Sequence, residues 1–173
     1  MEIWVLRLGH RLHRDERIST HCGLTARAFG ANGIIYSGYK DDSLLNSVRK
    51  VVENWGGPFE VIYEKNWKKV VSEWKKKGKI VLLTMYGINL PDVVEKNKKE
   101  KKLLIVIGSE KVPSEIYNLV DFQVAITNQP HSEVSSLSTF LDHYFRSNQF
   151  KKQFSKPKIR ITPSEKGKKT EIS

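Results

Sequence analysis

Cysteine is almost missing from this sequence of 173 residues, in which Cys22 is the only one. A single thiol can form neither an internal disulfide framework nor a zinc site built from several cysteines. So little cysteine is typical of a reducing compartment, and we therefore expect a cytoplasmic protein. His10 and His13 have no third ligand close by in the sequence and are surrounded by arginines, so we predict no metal site.

Long apolar segments are missing as well. No stretch approaches the roughly 20 consecutive apolar residues that a membrane-spanning helix needs, and residues 1–4 begin a strand-like pattern rather than a signal peptide. Apolar residues still make up 39% of the chain, which is enough to build the core of one domain. We expect a soluble, unexported protein that has no membrane partner.

Two familiar nucleotide-binding motifs are also missing. The first predicted strand is not followed by Gly-x-Gly-x-x-Gly, and the chain contains no Walker lysine loop. Their absence argues against a Rossmann dinucleotide site and against a P-loop.

Acidic residues are scarce compared with basic ones. Thirty Lys and Arg stand against 19 Asp and Glu, which gives a formal net charge of +11. Such a field attracts polyanions, and nucleic acid is the first candidate. Lysine-rich surfaces also occur in heat-adapted proteins as ion-paired faces. Residues 150–173, however, carry eight basic residues and only two acidic ones, so ion pairing does not explain this segment.

Short apolar runs alternate with helical patterns along the chain. Strands are predicted at residues 3–6, 33–36, 59–63, 79–85, 103–107 and 122–126. Helices are predicted at about 20–29, from Asp41 or Asp42 to 55, at 66–77, from Pro91 onward, at 113–120 and at 132–147, with Ser19 or Thr20 as the first N-cap. This alternation predicts an α/β domain with a mostly parallel six-stranded sheet and helices on both faces.

The end of the chain breaks this pattern. We predict one α/β domain over residues 1–148 and a short basic C-terminal extension over residues 149–173. Residues 158–161 alternate in polarity between two prolines and are predicted as a single edge strand, and the remainder of the extension is expected to be mobile.

Ligands of open α/β sheets lie beyond the carboxyl ends of the strands. Three segments with polar or small residues occupy that position, at 83–87, 108–113 and 127–133. Asn128, Gln129 and Pro130 suit a loop that presents hydrogen-bond donors and acceptors in fixed directions. Taken alone, Gly108 could be part of an ordinary turn after a strand, and His131 could be an ordinary hydrogen-bonded histidine on the surface. Together the three segments predict one pocket.

The loop near the start of the chain is crowded with arginines. Arg11, Arg14 and Arg17 follow the first predicted strand within a few residues of one another. A guanidinium offers a planar fork of donors that matches a phosphate group. We therefore predict that these three residues bind an RNA backbone.

Three motifs resemble the SPOUT class of RNA methyltransferases. Residues 21–30, HCGLTARAFG, are similar to that class's Asn-x-Gly-x-x-x-Arg motif followed by Phe-Gly. Gly108-Ser109-Glu110 resembles its Gly-x-Glu segment, and Ser132 begins a segment like its Ser-rich one. The stretches RLGHR, RDERISTH, LTARAFGANG, WGGPF, LTMYG, GSEKVP and NQPHSEV resemble more closely the archaeal tRNA (cytidine(56)-2'-O)-methyltransferase family.

The resemblance implies a C-terminal trefoil knot, S-adenosyl-L-methionine as cofactor, tRNA as partner and a homodimer. It implies 2'-O-methylation of the ribose of cytidine 56 in the T-loop of tRNA. The alternatives are a SPOUT-class enzyme acting on another RNA nucleotide and a non-catalytic RNA-binding module. The implied cofactor-binding residues are Leu83, Gly108, Ser109, Glu110, Lys111, Val112, Ile126, Thr127, Asn128, Gln129, Pro130, His131, Ser132 and Glu133.

The resemblance also implies that Arg27 is catalytic, and His21 is a second candidate. The pKa of an arginine is too high for a ready base, so we expect Arg27 to bind the target phosphate or hydroxyl, with the partner's cofactor within its reach. His21 near a helix start would be biased toward the neutral imidazole, which is eligible as a base. The SPOUT class has Asn at the position of His21, so the role of that Asn does not transfer to His21. A helix-capping or tRNA-contacting histidine is the alternative. Close relatives are expected to have Gly at Thr127.

Overall fold

Strands and helices alternate along the residues that the computed structural model describes, which are 1–96, 100–108 and 112–172. The elements of the domain are β1 (Glu2–His10), α1 (Glu16–Ala28), β2 (Gly33–Gly38), α2 (Asp42–Trp55), β3 (Glu60–Tyr63), α3 (Trp67–Lys75), β4 (Lys79–Asn89), α4 (Leu90–Lys96), β5 (Lys102–Gly108), β6 (Phe122–Ala125) and α5 (Glu133–Phe145). Short 3-10 helices lie at Ser114–Asn118 and Asn148–Lys151, and strands β7 (Ile159–Ile161) and β8 (Thr170–Ile172) follow.

The sheet contains six strands in the order β3-β2-β1-β5-β4-β6, and every pair of neighbours is parallel. Successive side chains of a strand point to opposite faces. Ile3 and Val5 therefore pack with buried residues of α1, α2, α4 and α5, whereas Leu6 and Leu8 pack with α3 and the first 3-10 helix. The predicted parallel sheet with helices on both faces is confirmed.

Strand β6 pairs with β4 in two registers. Val124 is paired with both Leu83 and Ile88, because β4 is irregular between those two residues. Gly87 crosses so close to β6 that an added Cβ would lie 2.5 Å from the backbone of Gln123 and Val124. Only glycine fits such an approach. The trefoil knot itself stays a prediction.

Helix α1 begins earlier than the sequence pattern predicts. Its N-cap is Asp15, so the predicted caps Ser19 and Thr20 are wrong. Ser19 is buried inside the helix, where its Oγ lies 2.9 Å from Nδ1 of His10. Short polar side chains often cap helices, but Ser19 has this tertiary partner instead. The predicted cap Asp41 of α2 is confirmed, since it accepts a hydrogen bond from the Leu44 amide at 3.0 Å.

The C-terminal extension forms an antiparallel pair of strands, β7 and β8. The prediction of a single edge strand is wrong, because residues 170–172 pair with residues 159–161. The extension also packs on the end of α2, where the Lys158 amide donates to the Asn54 carbonyl at 2.9 Å. The boundary between the α/β domain and the C-terminal extension, placed between residues 148 and 149, stays a prediction. Within the described residues, no helix has the length and hydropathy that crossing a membrane requires.

Candidate functional site

The first and third predicted cofactor segments contact each other at the carboxyl edge of the sheet. The side-chain amide of Asn128 donates to the carbonyls of Met85 and Gly87 at 2.7 and 3.2 Å. These bonds fix the loop after β6 against the second half of β4. The amide that the sequence suggested for ligand recognition is therefore used, at least in part, to hold these two segments together.

The second segment follows β5 and begins at Gly108. Gly108 pairs with Leu8 of β1, and a Cβ at Gly108 would lie 2.1 Å from a methyl carbon of Val112. The Val112 side chain therefore lies against the end of β5, in space that a side chain at position 108 would occupy. The predicted site residues Ser109, Glu110 and Lys111 lie outside the described residues.

Exposure at this edge changes from buried strand ends to an exposed loop. Leu83 is buried and Ile126 is half-buried. The loop residues Thr127, Asn128, Gln129, Pro130, His131 and Ser132 are exposed. Ser132 caps α5 by accepting from the Ser135 amide at 3.2 Å, and Glu133 is half-buried in the first turn. The edge combines an apolar floor with a polar, hydrogen-bonding rim.

Arg27 lies near the opposite edge of the sheet. Its guanidinium donates to the carbonyls of Trp55 and Gly56 at 2.6 and 2.7 Å, just before β3 begins. The ring of Phe154 covers it, with 4.2 Å between the guanidinium carbon and the ring centroid. Burial lowers the pKa of Arg27. Because α1 is roughly 20 Å long at 1.5 Å per residue, Arg27 is not brought to the cofactor segments of its own chain.

His21 lies elsewhere on α1. Its exposed side chain lines a cavity of about 340 Å³ together with Arg17, Thr20 and Asp41. Since α1 starts at Glu16, His21 stands beyond the first turn, where the helix dipole has little effect. The reason for expecting a neutral imidazole at this position is therefore wrong. His21 and Arg27 are near different ends of the helix.

The three arginines of the first loop differ in their surroundings. Arg11 holds Asp15 with two hydrogen bonds, from Nε at 2.9 Å and from NH2 at 3.0 Å. The Arg11 hydrogen bond also keeps the pKa of the Asp15 carboxyl below its usual value. Arg14 and Arg17 are exposed. Arg11 thus stabilises the turn, whereas the other two guanidinium groups face solvent.

One buried residue at this edge was not identified from the sequence. Arg7 is fully buried in β1, and its NH2 lies 3.4 Å from a carboxylate oxygen of Glu133. The available signal was an arginine inside an otherwise apolar strand. Among the described residues, no group of three or more His, Cys, Asp or Glu side chains is close enough to hold a metal ion.

The family model for "tRNA ribose 2'-O-methyltransferase, aTrm56" matches residues 55–171. This chain belongs to that family. It is 52% identical to the tRNA (cytidine(56)-2'-O)-methyltransferase of Thermococcus kodakarensis over 171 residues, covering 96% of this chain and 95% of the relative. It is 50% identical to the enzyme of that name from Methanopyrus kandleri over 168 residues, covering 96% and 94%.

Solved structures of other methyltransferases share the fold of this family member. The SpoU methyltransferase AviRb from Streptomyces viridochromogenes, in complex with AdoMet, matches with a TM-score of 0.61 at 17% identity. The match covers 84% of this chain, which spans only 57% of AviRb. A TrmH/SpoU tRNA modifying enzyme from A. aeolicus matches with a TM-score of 0.58 at 15% identity, covering 87% and 76%.

The carboxyl edge of the sheet fits the cofactor of this methyltransferase family, S-adenosyl-L-methionine. An adenosyl group needs apolar surface for its ring and hydrogen-bonding groups for its edge and ribose. Leu83 and Ile126 supply the apolar surface. The exposed loop after β6 supplies the hydrogen-bonding groups. Gly108, at the end of β5, has the Val112 side chain packed against it.

Proposed function

We propose that this protein transfers a methyl group from S-adenosyl-L-methionine to the 2'-hydroxyl of the ribose of cytidine 56 in tRNA. The observation that carries the proposal is its identity of about half with enzymes of that name over nearly their full lengths. The hydrogen bonds by which Asn128, in the loop after β6, holds Met85 and Gly87 of β4 also support the proposal. We further propose that the enzyme acts in the cytoplasm.

The cofactor supplies a methyl group already activated on a sulfonium. We assign its binding to Leu83, to the segment from Gly108 to Val112 and to the segment from Ile126 to Glu133. The main task of the protein is then to align the 2'-hydroxyl with the methyl group, because alignment accounts for a large part of such rate enhancements. Asn128 contributes by fixing the shape of the loop.

The position of Arg27 supports a homodimer whose active site contains residues of both subunits. In one chain Arg27 is near the edge where the strands begin, whereas the cofactor segments follow the strand ends. A symmetric dimer can bring these two regions together. In that arrangement Arg27 donates hydrogen bonds to the target phosphate or hydroxyl, since a guanidinium is a strong donor and a very weak base.

Differences in exposure and ion pairing support a choice among the basic groups that we propose for tRNA phosphates. Arg14 and Arg17 are exposed. Lys68 and Lys69 of α3 are instead paired with Glu115 and Glu64. We assign tRNA docking to the two arginines and to the C-terminal extension. About five phosphate contacts would give a log-log salt slope near −4.

The proposed function is tested by mass mapping of a tRNA transcript after incubation with the protein and S-adenosyl-L-methionine. We expect one 2'-O-methyl group, on cytidine 56. A methyl group on another nucleotide would identify a different methyltransferase of the SPOUT class. Equilibrium dialysis that detects RNA binding but no cofactor binding would instead identify a non-catalytic RNA-binding module.

The role of Arg27 is tested by Arg27→Ala. We expect methylation to be lost while the Kd for S-adenosyl-L-methionine stays near that of the wild type, because the hydrogen bonds of Arg27 within the described residues go to Trp55 and Gly56, outside the cofactor segments. Arg49→Ala is a matched control, since Arg49 also donates to a backbone carbonyl, that of Val61 at 2.9 Å. Retained turnover in Arg27→Ala would remove Arg27 from the mechanism.

A further inference from the structure

A buried arginine lies between the second and third cofactor segments. Arg7 pairs in register with Ile107, which directly precedes Gly108. Its side chain extends from the sheet toward α5, where it reaches Glu133 of the third segment. The backbone of Arg7 thus neighbours one predicted cofactor segment and its guanidinium contacts another.

The hydrogen bonds of this guanidinium are incomplete. NH1 donates to the Leu8 carbonyl at 2.9 Å, but Nε and NH2 have no hydrogen-bond partner among the described residues. Arg7 has no exposed surface. A buried charge strongly favours a partner of opposite charge, and Glu133 is the carboxylate whose oxygen lies 3.4 Å from NH2.

Other titratable groups that face Arg7 are already neutral or engaged. Burial raises the pKa of the Cys22 thiol, on the adjacent face of α1, to about 12, so Cys22 carries no charge at neutral pH. The carboxylate of Asp15, which also acts on Arg7 through its charge, receives two hydrogen bonds from the Arg11 side chain. Glu133 is therefore the carboxylate that the described residues leave for Arg7.

Packing alone does not require an arginine at this position. Ile3 and Val5, which precede Arg7 on the same face of β1, are buried aliphatic residues. Replacing a buried ion pair by apolar side chains of similar volume is often neutral or stabilising. The sequence nevertheless has a charge here, at the edge of the sheet where the cofactor segments meet.

We infer that Arg7 is a positioning residue that holds the Glu133 carboxylate and thereby fixes the loop after β6 in its cofactor-binding shape. Glu133 is in the first turn of α5 and directly follows the loop. Its negative charge is also favoured by the positive end of that helix. The Arg7 guanidinium and the N-terminus of α5 both attract the Glu133 carboxylate. The C-terminal end of the loop after β6 is therefore held in one position. This inference rests on the proposed function.

The test is Arg7→Met, which keeps most of the side-chain volume and removes the charge. We expect the variant to fold, because Glu133 is partly exposed and stays at the positive end of α5 when its partner is removed. We expect its Kd for S-adenosyl-L-methionine, measured by equilibrium dialysis, to rise by about tenfold or more. In tRNA methylation, the KM for the cofactor should rise more than kcat falls. Arg49→Met is the matched control and should change neither value.

A double-mutant cycle separates positioning from general damage. If Arg7 acts through Glu133, Glu133→Gln should weaken cofactor binding in the wild type but add little in the Arg7→Met background. Unchanged cofactor affinity in Arg7→Met, or fully additive losses, would overturn the inference. If Arg7→Met does not fold, the Kd for S-adenosyl-L-methionine is measured for Arg7→Lys instead. It keeps the charge without the planar fork, so its Kd should still rise, and an unchanged Kd refutes the role.

The proposed function and this inference fail in different ways. Wild-type protein that binds no S-adenosyl-L-methionine would refute the proposed function. Wild-type protein that binds the cofactor, together with an Arg7→Met variant that binds it equally well, would leave the proposed function intact and refute only the role of Arg7.

Discussion

Gly23 shows how a motif residue acts through packing. It lies inside α1, where a Cβ would be 2.3 Å from the hydroxyl of Tyr36 and 3.0 Å from a methyl carbon of Val48. The Tyr36 hydroxyl is buried and donates to the Ser19 carbonyl at 3.0 Å. The missing side chain therefore lets α1 approach both β2 and α2. The glycine of the family's first motif is explained here without any contact to a ligand.

We expect Gly23→Ala to destabilise the protein by about 1–3 kcal/mol, because the added methyl group overpacks this contact. At an exposed helical position the same change would stabilise by about 1 kcal/mol. Urea unfolding measures the effect. Asn46→Ala, at an exposed position of α2, is the control and should stabilise slightly. Tyr36→Phe in the Gly23→Ala background should recover stability, and a more stable Gly23→Ala would contradict the packing argument.

Some residue roles could be predicted from local sequence and others could not. Asp41 caps α2 as expected, because a cap needs only an amide a few residues ahead, and Ser132 caps α5 in the same way. Ser19 looked like a cap as well, but its partner is His10 in the neighbouring strand. The Arg7 contact to Glu133 joins residues far apart in the sequence. Local pattern contains no information on such pairs.

At the scale of elements, α3 and the C-terminal extension are both basic but differ in pairing. Lys77 of the α3 region pairs with Glu2 and also lies 4.1 Å from the ring centroid of Trp74. In the described part of the extension, Lys166, Lys168 and Lys169 are exposed and no ion-pair partner is present. Composition could predict the charge of both elements. It could not show that Lys68 and Lys77 pair with acids far away in the sequence, Glu115 and Glu2.

We expect the triple substitution Lys166→Ala, Lys168→Ala and Lys169→Ala to weaken tRNA binding and to reduce the salt slope by about 2.7, since each phosphate contact contributes about 0.9. The matched control is Lys68→Ala with Lys69→Ala in α3, whose amines already pair with carboxylates. Fluorescence titration of tRNA at several salt concentrations measures both slopes. A larger loss from the α3 control would mean that α3, and not the extension, docks the tRNA.

At the scale of the whole molecule, Arg27 and the proposed cofactor segments lie at opposite edges of one sheet. The alternation of apolar runs could predict that sheet and the loops at its carboxyl edge, because buried parallel strands have a strong sequence pattern. It could not predict that Phe154 of the extension covers Arg27. Nor can local periodicity predict how the proposed second subunit would pack, since such a contact depends on surface shape.

An active site made of two subunits predicts complementation between two inactive variants. Arg27→Ala keeps the cofactor segments, and Gly108→Val keeps Arg27 but forces Val112 away from the strand end. Half of the dimers formed from an equal mixture contain one of each, and each mixed dimer of a symmetric pair has one complete site. We therefore expect about a quarter of the wild-type methylation rate after the two proteins are denatured and refolded together.

The control for this experiment mixes Arg27→Ala with the double variant Arg27→Ala/Gly108→Val. No dimer in that mixture has a complete site, so any recovered activity would not come from an active site shared between two subunits. If Arg27 acted within its own chain, the first mixture would be as inactive as the control, because neither chain combines Arg27 with an intact Gly108 turn. Recovery in the first mixture alone would mean that the ends of two sheets, one from each subunit, form the catalytic site.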